Sequence, residues 1–402
     1  MREFRNHGIP GGLSLEGPFL LQHVSVNEPL FPNLKTLDLR RVDGLSTLFI
    51  PLFLSPTITL IDIRFKTSRI PGGLVASLIA TFPARFPNLQ HIRLSGLPKN
   101  PVITAGVSKS LLTANRNTLR TFNADSPLTE EAREAVCRLS ELREFRVVIE
   151  RGTPLPSLVL PNLSNLAVRY DHDDDCLAMF HGATFGKLES IEFTPGSEQI
   201  GDFLGTFERV ALAASIQDTL SEFRLYGSCS WNPTFSSLLS FTQMRDLFVK
   251  FPCIGGCSSM VDDGIIINLA RAMPKLEHLA LGVPPCRRIP TGVTAKGLVA
   301  LAHHCPNLFD LCIHIQVASL FTPPATIGMT PNAEPSVLRR DCALKHLDVG
   351  RIPMPEESVS RTALTLARIF PQVESIKAHD EGWLKVVNAI RHSRKIVDCS
   401  GK

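Results

Sequence analysis

The stretch Leu34-Lys35-Thr36-Leu37-Asp38-Leu39 opens a pattern, L-x-x-L-x-L, that returns along almost the whole chain of 402 residues. Each match has apolar residues at its first, fourth and sixth positions, apart from the small Ala124 and Ala378. Several matches follow a lead-in like Phe31-Pro32-Asn33, which scattered apolar residues would not produce. The thirteen matches begin at Leu34, Ile58, Leu89, Leu119, Leu142, Leu163, Leu188, Leu220, Met244, Leu276, Leu308, Leu344 and Val373.

The spacing of the matches, about 28 residues on average, indicates stacked leucine-rich repeats, in which each repeat is one short strand and one helix. Asp263 and Thr294 stand where they would cap the first turn of a helix. Because neither element can bury its apolar side alone, stacking favours an α/β leucine-rich-repeat solenoid. Its curved parallel β-sheet would form the concave face and its helices the convex face. The predicted helices span residues 73–82, 105–115, 129–139, 200–215, 263–273, 294–304 and 358–370.

The repeat series predicts one elongated body with a cover at each end, since an open solenoid end exposes its apolar interior. Residues 1–29 would be a cap or a degenerate first repeat, because 21–26 repeat the phrase weakly. The solenoid would span 30–380, with proline-rich long loops at 282–291 and 321–336. Residues 381–402 would form a capping helix and tail.

Charge, hydropathy and cysteine content limit the partners that the sequence predicts and indicate a cellular compartment. The formal charge is +4 and no basic run occurs, so we expect no nucleic acid partner. The longest apolar run, residues 45–54, is broken by Pro51 and too short to span a bilayer, so we expect no membrane contact. Ten cysteines at irregular spacing indicate reduced thiols, which predicts a cytoplasmic or nuclear protein.

The third and fifth positions of each phrase should face away from the interior, because successive strand residues point to opposite faces. Most are polar, but Phe248, Ala280 and Cys312 would form an apolar stripe on three neighbouring strands. An apolar stripe with a polar rim is typical of a protein-binding patch. In the alternative interpretation, Phe248 folds over Ala280 beneath the 282–291 loop, and nothing is left to bind. The predicted rim residues are Asp246, His278, Asp310, His346 and Asp348.

Sequence signals for metal binding, cofactor binding and catalysis are weak. Cys253, Cys257, Cys286 and Cys305 lack the paired spacing of a zinc site, and the acidic run 171–175 lacks the glycine and distant glutamate of a calcium loop. The acidic run therefore predicts a solvated loop. No phosphate loop, nucleophile elbow or paired-histidine motif is present in the sequence. The sequence thus predicts no cofactor, no metal and no catalytic site.

Residues 293–311 resemble the cysteine-containing leucine-rich repeats of F-box proteins, and so does the equivalent stretch of the preceding repeat, residues 263–279. The wider repeat region is similar to the ribonuclease-inhibitor-like superfamily. Its irregular unit length resembles that of the repeats in fungal-type F-box proteins. That resemblance implies a non-enzymatic substrate receptor of a cullin-RING (SCF) ubiquitin ligase, which acts in protein degradation. Residues 1–30 carry no recognisable F-box, so the SCF adaptor is an expected partner only if an F-box lies upstream. The alternative is a free-standing repeat scaffold or inhibitor that binds a protein partner without a ligase.

Overall fold

A computed structural model describes residues 3–6, 29–66, 70–97, 110–152, 158–196, 203–227, 235–250, 261–282, 292–321, 342–350, 352–378 and 380–400. The chain divides into two compact units, Met1–Leu188 and Glu189–Lys402. In each unit, parallel strands pair with their neighbours in sequence order. Each unit is therefore an α/β leucine-rich-repeat solenoid, as the sequence predicts.

The first unit contains seven described strands, separated by short helices. The strands are β1 Glu3–Asn6, β2 Thr36–Val42, β3 Leu60–Phe65, β4 His91–Ser95, β5 Thr121–Pro127, β6 Glu144–Ile149 and β7 Asn165–Tyr170. The helices are α1 Gly44–Phe49, α2 Gly72–Ala80, α3 Phe82–Arg85, α4 Glu130–Val136 and α5 Asp173–Ala178, and residues 110–114 are also helical.

The second unit contains seven further described strands and its longer helices. The strands are β8 Ser190–Pro195, β9 Glu222–Tyr226, β10 Asp246–Lys250, β11 His278–Leu281, β12 Asp310–Ile313, β13 His346–Gly350 and β14 Ser375–Ala378. The helices are α6 Phe203–Ala213, α7 Asp263–Ala272, α8 Ala295–His304, α9 Val359–Ile369 and α10 Glu381–Ser400.

The apolar phrase positions face the interior, as predicted. Leu37, Leu247 and Leu311 are fully or almost fully buried, and so are the phrase starts such as Leu276. In β10 and β11 the fourth positions, Leu247 and Leu279, stand in register on neighbouring strands. The alternation of strand side chains therefore sends one set of residues into the core and leaves the other set on the opposite face.

Asp263 links two successive repeats instead of capping its own helix, so that part of the capping prediction was wrong. Asp262 caps α7, accepting a hydrogen bond from the Ile265 amide at 2.9 Å. Asp263 reaches the following repeat, where its carboxylate accepts from the amides of Thr294 at 2.8 Å and Gly297 at 3.0 Å. Thr294 caps α8 as predicted. The first turn of α8 is thereby held by a side chain from α7.

Other elements differ from the sequence predictions. Strand β1, four residues long, pairs with β2 in parallel, and no repeat phrase indicates it. Within the acidic run 171–175, predicted as a loop, Asp173, Asp174 and Asp175 form the first turn of α5, where acidic side chains are favoured by the helix dipole. Helix α10 occupies most of the 381–402 segment, with Trp383 buried and its Nε1 donating to the Ile352 carbonyl at 2.9 Å. The weak phrase at 21–26 lies outside the described residues, as do 283–291 and 322–341.

Candidate functional site

Strand pairing in the second unit places the predicted site residues in two parallel rows. The register aligns Asp246 with His278 and then with Asp310, and it aligns Phe248 with Ala280 and then with Cys312. The third-position row is Glu222, Asp246, His278, Asp310, His346 and Ser375. The fifth-position row is Arg224, Phe248, Ala280, Cys312, Asp348 and Lys377.

Hydrogen bonds and ion pairs connect the third-position row across strands. His278 Nδ1 lies 2.7 Å from Asp310 Oδ2, and His278 Nε2 lies 3.8 Å from Asp246 Oδ1. His346 Nδ1 contacts Ser375 Oγ at 2.7 Å. These residues are half-buried or exposed, so the row forms a polar strip that fixes side-chain positions while keeping them within reach of a partner.

Asp246 carries the main electrostatic perturbation of the third-position row. Its carboxylate is half-buried, and this burial raises its pKa, although the neighbouring His278 acts in the opposite direction. Glu222 and Glu277 add to the rise. A partly desolvated carboxylate among other acids gains from an incoming cation. The row therefore favours a partner group that donates hydrogen bonds or carries positive charge.

Phe248 is a half-buried aromatic ring bordered by cations in the fifth-position row. The guanidinium carbon of Arg224 lies 5.0 Å from the ring centroid, and Lys250 Nζ lies 5.5 Å from it. Cations at these distances are attracted by the ring quadrupole and restrict its rotamers. Phe248 is thus held in place as a partly accessible apolar group.

The structure corrects the prediction of a continuous apolar stripe. Ala280 is only 2% exposed, so it offers almost no surface to a partner. Ala280 stands in register between Phe248 and Cys312, on strands about 4.8 Å apart. Phe248 and Cys312 remain half-buried, leaving two separate apolar spots. Apart from Gly282, the 282–291 loop that covers Phe248 in the alternative interpretation lies outside the described part.

Cys312, Asp348 and Lys377 are the last three members of the fifth-position row. Burial, and next the Asp348 carboxylate, raise the pKa of the Cys312 thiol to about 11. Asp348 pairs with Lys377 Nζ at 3.6 Å. Cys312 is consequently a neutral thiol at physiological pH, which suits an apolar contact better than a nucleophile or a metal ligand.

Phe309 is a site residue that the sequence analysis missed. Its ring makes edge-to-face contacts with His278, at 6.1 Å between centroids, and with His346, at 5.0 Å. Lys345 Nζ lies 5.6 Å from its centroid. The signal was present in the sequence, since Phe309 is the one aromatic residue at the second phrase position, where the other repeats carry charged or polar residues. The site therefore has a second half-buried aromatic group.

The remaining candidates do not assemble into a metal centre. Among the residues that the structure describes, no group of three His, Cys, Asp or Glu side chains could hold a metal ion. Cys305 is buried, and its Sγ lies 3.6 Å from the carbonyl oxygens of Ala270 and Met273, so it is a packing residue. Cys253, Cys257 and Cys286 lie outside the described ranges. Within those ranges, no helix combines the length and apolarity needed to cross a bilayer.

Comparison with known proteins finds two solved structures of low similarity. No family model and no curated protein matches the sequence. The crystal structure of the Rad7 and Elc1 complex in yeast matches at 14% identity with a TM-score of 0.37, covering 73% of each chain. The crystal structure of a TLR13–ssRNA13 complex matches at 13% identity with a TM-score of 0.37, covering 88% of this chain and 47% of that chain. These similarities assign no ligand or partner to the present chain.

Proposed function

We propose that this chain is a non-enzymatic protein-binding repeat protein that holds a partner against the two rows of the second unit. The observation that carries the proposal is Phe248, a partly accessible ring fixed between Arg224 and Lys250 and surrounded by polar side chains. Aromatic anchors of this kind, within a polar rim, dominate the free energy of protein–protein association.

The charges around the site define the chemistry of the partner. The third-position row presents Asp246, two residues before Phe248 on β10, and Asp310, two strands away on β12. Arg224 and Lys250 border the Phe248 ring. A matching partner segment would place an apolar side chain against Phe248 and a basic side chain over the acidic row. Such complementarity contributes mainly to specificity and association rate.

The more specific proposal is a substrate-recognition role in an SCF-type ubiquitin ligase. It is supported by the resemblance of 263–279 and 293–311 to the repeats of F-box proteins. The alternative is a free-standing scaffold or inhibitor that binds its partner without a ligase. Both belong in the cytoplasm or nucleus, a location supported by the free thiols of Cys176, Cys305 and Cys342 within the described ranges.

The binding proposal is tested with a matched pair of variants in quantitative co-purification. Phe248→Asp removes the ring from the proposed site, while Leu364→Asp makes the same kind of change at an exposed leucine on α9. We expect partners to be lost from Phe248→Asp and retained by Leu364→Asp. If both variants keep every wild-type partner, with melting temperatures unchanged, the proposal is wrong.

The ligase and scaffold alternatives are separated by a second measurement on the same preparations. An SCF receptor would retain the adaptor in Phe248→Asp while losing the substrate, because adaptor and substrate occupy different surfaces. A scaffold would co-purify with its partner and with no adaptor or cullin. Absence of the adaptor from the wild-type sample, with the partner present, favours the scaffold for this chain, and the same result with any residues encoded upstream of Met1 included rules out the ligase role.

A further inference from the structure

A basic pocket lies in the first unit, in the repeats that contain β2 and β3. Five residues line a cavity of 490 Å³: Arg40, Arg41, Arg64, Phe65 and Lys66. Four of them carry positive charge, and Phe65, which is buried, supplies an apolar wall. The sequence shows no basic run because Arg40 and Arg64 belong to different repeats, and the strand register brings them together.

Two of the four cations are only partly neutralised. Arg40 Nη2 lies 3.3 Å from Asp38 Oδ2, and Arg64 Nε lies 3.5 Å from Asp62 Oδ1. Both carboxylates are almost buried, at 8% and 9% exposure, whereas the two guanidinium groups are exposed. The carboxylates therefore hold the guanidinium groups in position from beneath and leave their outer N–H donors free for a ligand.

Arg41 and Lys66 give the basic pocket an excess of positive charge. Neither has a carboxylate partner in the described part of the chain. Arg40 and Arg64 also stand directly opposite one another in register, and like charges in this arrangement repel. An anion placed between the four groups would remove that repulsion and satisfy their donors.

The backbone at Arg41 supports a ligand-binding role. The pairing of β2 with β3 shifts register between Arg40 and Val42, so Arg41 is an extra residue in a bulge. Its φ is +60°, a left-handed conformation that a non-glycine residue adopts at a cost. Bulges redirect side chains and strained residues cluster at ligand sites. Here the bulge places two consecutive arginines, Arg40 and Arg41, at one cavity.

We infer that the basic pocket binds a phosphate group. Guanidinium forks match the geometry of phosphate oxygens in two-point hydrogen bonds, and a lysine adds a mobile point charge. The cavity volume lies within the range of small-molecule clefts and exceeds a phosphate ion alone, which leaves room for the group that carries it. The site belongs to the first unit and does not depend on the proposed role of Phe248.

Titration calorimetry on the full chain tests this inference with inorganic phosphate, O-phosphoserine and serine. We expect saturable binding of the first two at one site and none of serine. Tighter binding of O-phosphoserine supports the inference and identifies an attached phosphate as the ligand. Equal affinities support it with free phosphate as the source. No saturable binding of either phosphate compound overturns it.

Variants of equal charge change separate the basic pocket from a general effect of net charge. Arg41→Gln combined with Lys66→Gln should weaken binding at least tenfold. The control, Arg361→Gln combined with Lys296→Gln, changes exposed cations on helices of the second unit and should leave it unchanged. Equal losses in the two double variants would overturn the inference.

A further variant separates a loss of phosphate binding from a loss of the fold. Arg41→Gly suits a φ of +60° better than arginine does, so the melting temperature should hold or rise while phosphate binding weakens. Unchanged binding in Arg41→Gly contradicts the inference. Single-stranded RNA that binds through the same residues, with O-phosphoserine inactive, would also overturn it in favour of a polyanion surface.

Discussion

Replacing Leu279 with Asp should destabilise the second unit strongly. Leu279 is 1% exposed and lies between Leu247 and Leu311 on the neighbouring strands. Losing the buried leucine costs about 2 kcal/mol. Keeping the new carboxyl neutral at pH 7, with an ordinary pKa of about 3.9, costs about 4 kcal/mol more. The sum approaches the whole stability of many domains, which is about 5–15 kcal/mol.

Thermal and urea unfolding followed by circular dichroism would measure this loss. For a unit of about 200 residues, each kcal/mol lowers the melting temperature by about 2–4 °C, so we expect a fall of at least about 10 °C. Leu279→Ala offers a milder variant, with an expected loss of about 2–5 kcal/mol, in case the aspartate variant does not fold.

Leu364→Asp is the control for the Leu279 substitution, because Leu364 is 52% exposed on α9. Its melting temperature should stay within about 3 °C of wild type, since only helix propensity and exposed surface change. If Leu279→Asp and Leu364→Asp melt together, within two or three degrees of wild type, the inward register of the strands is wrong.

Three further outcomes are expected. A Cβ on Gly297 would lie 2.6 Å from Asp263 Oδ1, so Gly297→Ala should reduce the free energy of unfolding by about 1–3 kcal/mol. The loss would appear as a lower urea midpoint, and an unchanged midpoint would contradict the close contact. Because burial raises the pKa of Asp246, its ionised form costs free energy in the folded state at pH 7 and this cost is relieved as the pH falls through the raised folded-state pKa. Asp246→Asn should therefore match or exceed wild-type stability at pH 7 and lose that advantage below about pH 3.9, whereas an advantage that grows on acidification would reverse the assignment. Burial raises the pKa of the Cys305 thiol to about 12, so alkylation at pH 8, followed by mass spectrometry, should label Cys312 faster than Cys305, and equal rates in the folded protein would refute its burial.

The repeat phrase predicted the strands and their register because both depend on short-range alternation. Leu37, Leu247 and Leu311 face the core as expected, and the rows around His278 follow from aligning the phrases. Strand β1 at Glu3–Asn6 could not be predicted, because four residues without the phrase form a strand only through pairing with β2. Local pattern carries no information on such pairing.

The parts of the site that could not be predicted depend on contacts between repeats. Ala280 is buried although its phrase position predicts an outward side chain, and the edge contacts of Phe309 reach two other repeats. The basic pocket joins Arg40 and Arg64 through register and a bulge at Arg41. Position within a phrase indicates which face a residue occupies, and the neighbouring repeats determine what surrounds it.

The bond from Asp263 into the next helix has a consequence for how this chain can change in evolution. The donor amides belong to Thr294 and Gly297, in the following repeat, so the start of α8 depends on Asp263 of the preceding repeat as well as on its own Thr294 cap. A duplication or loss of one such repeat would leave an unmatched carboxylate at the new junction. The two repeats within residues 263–304 should therefore be inherited together, and length variation should concentrate elsewhere in the chain.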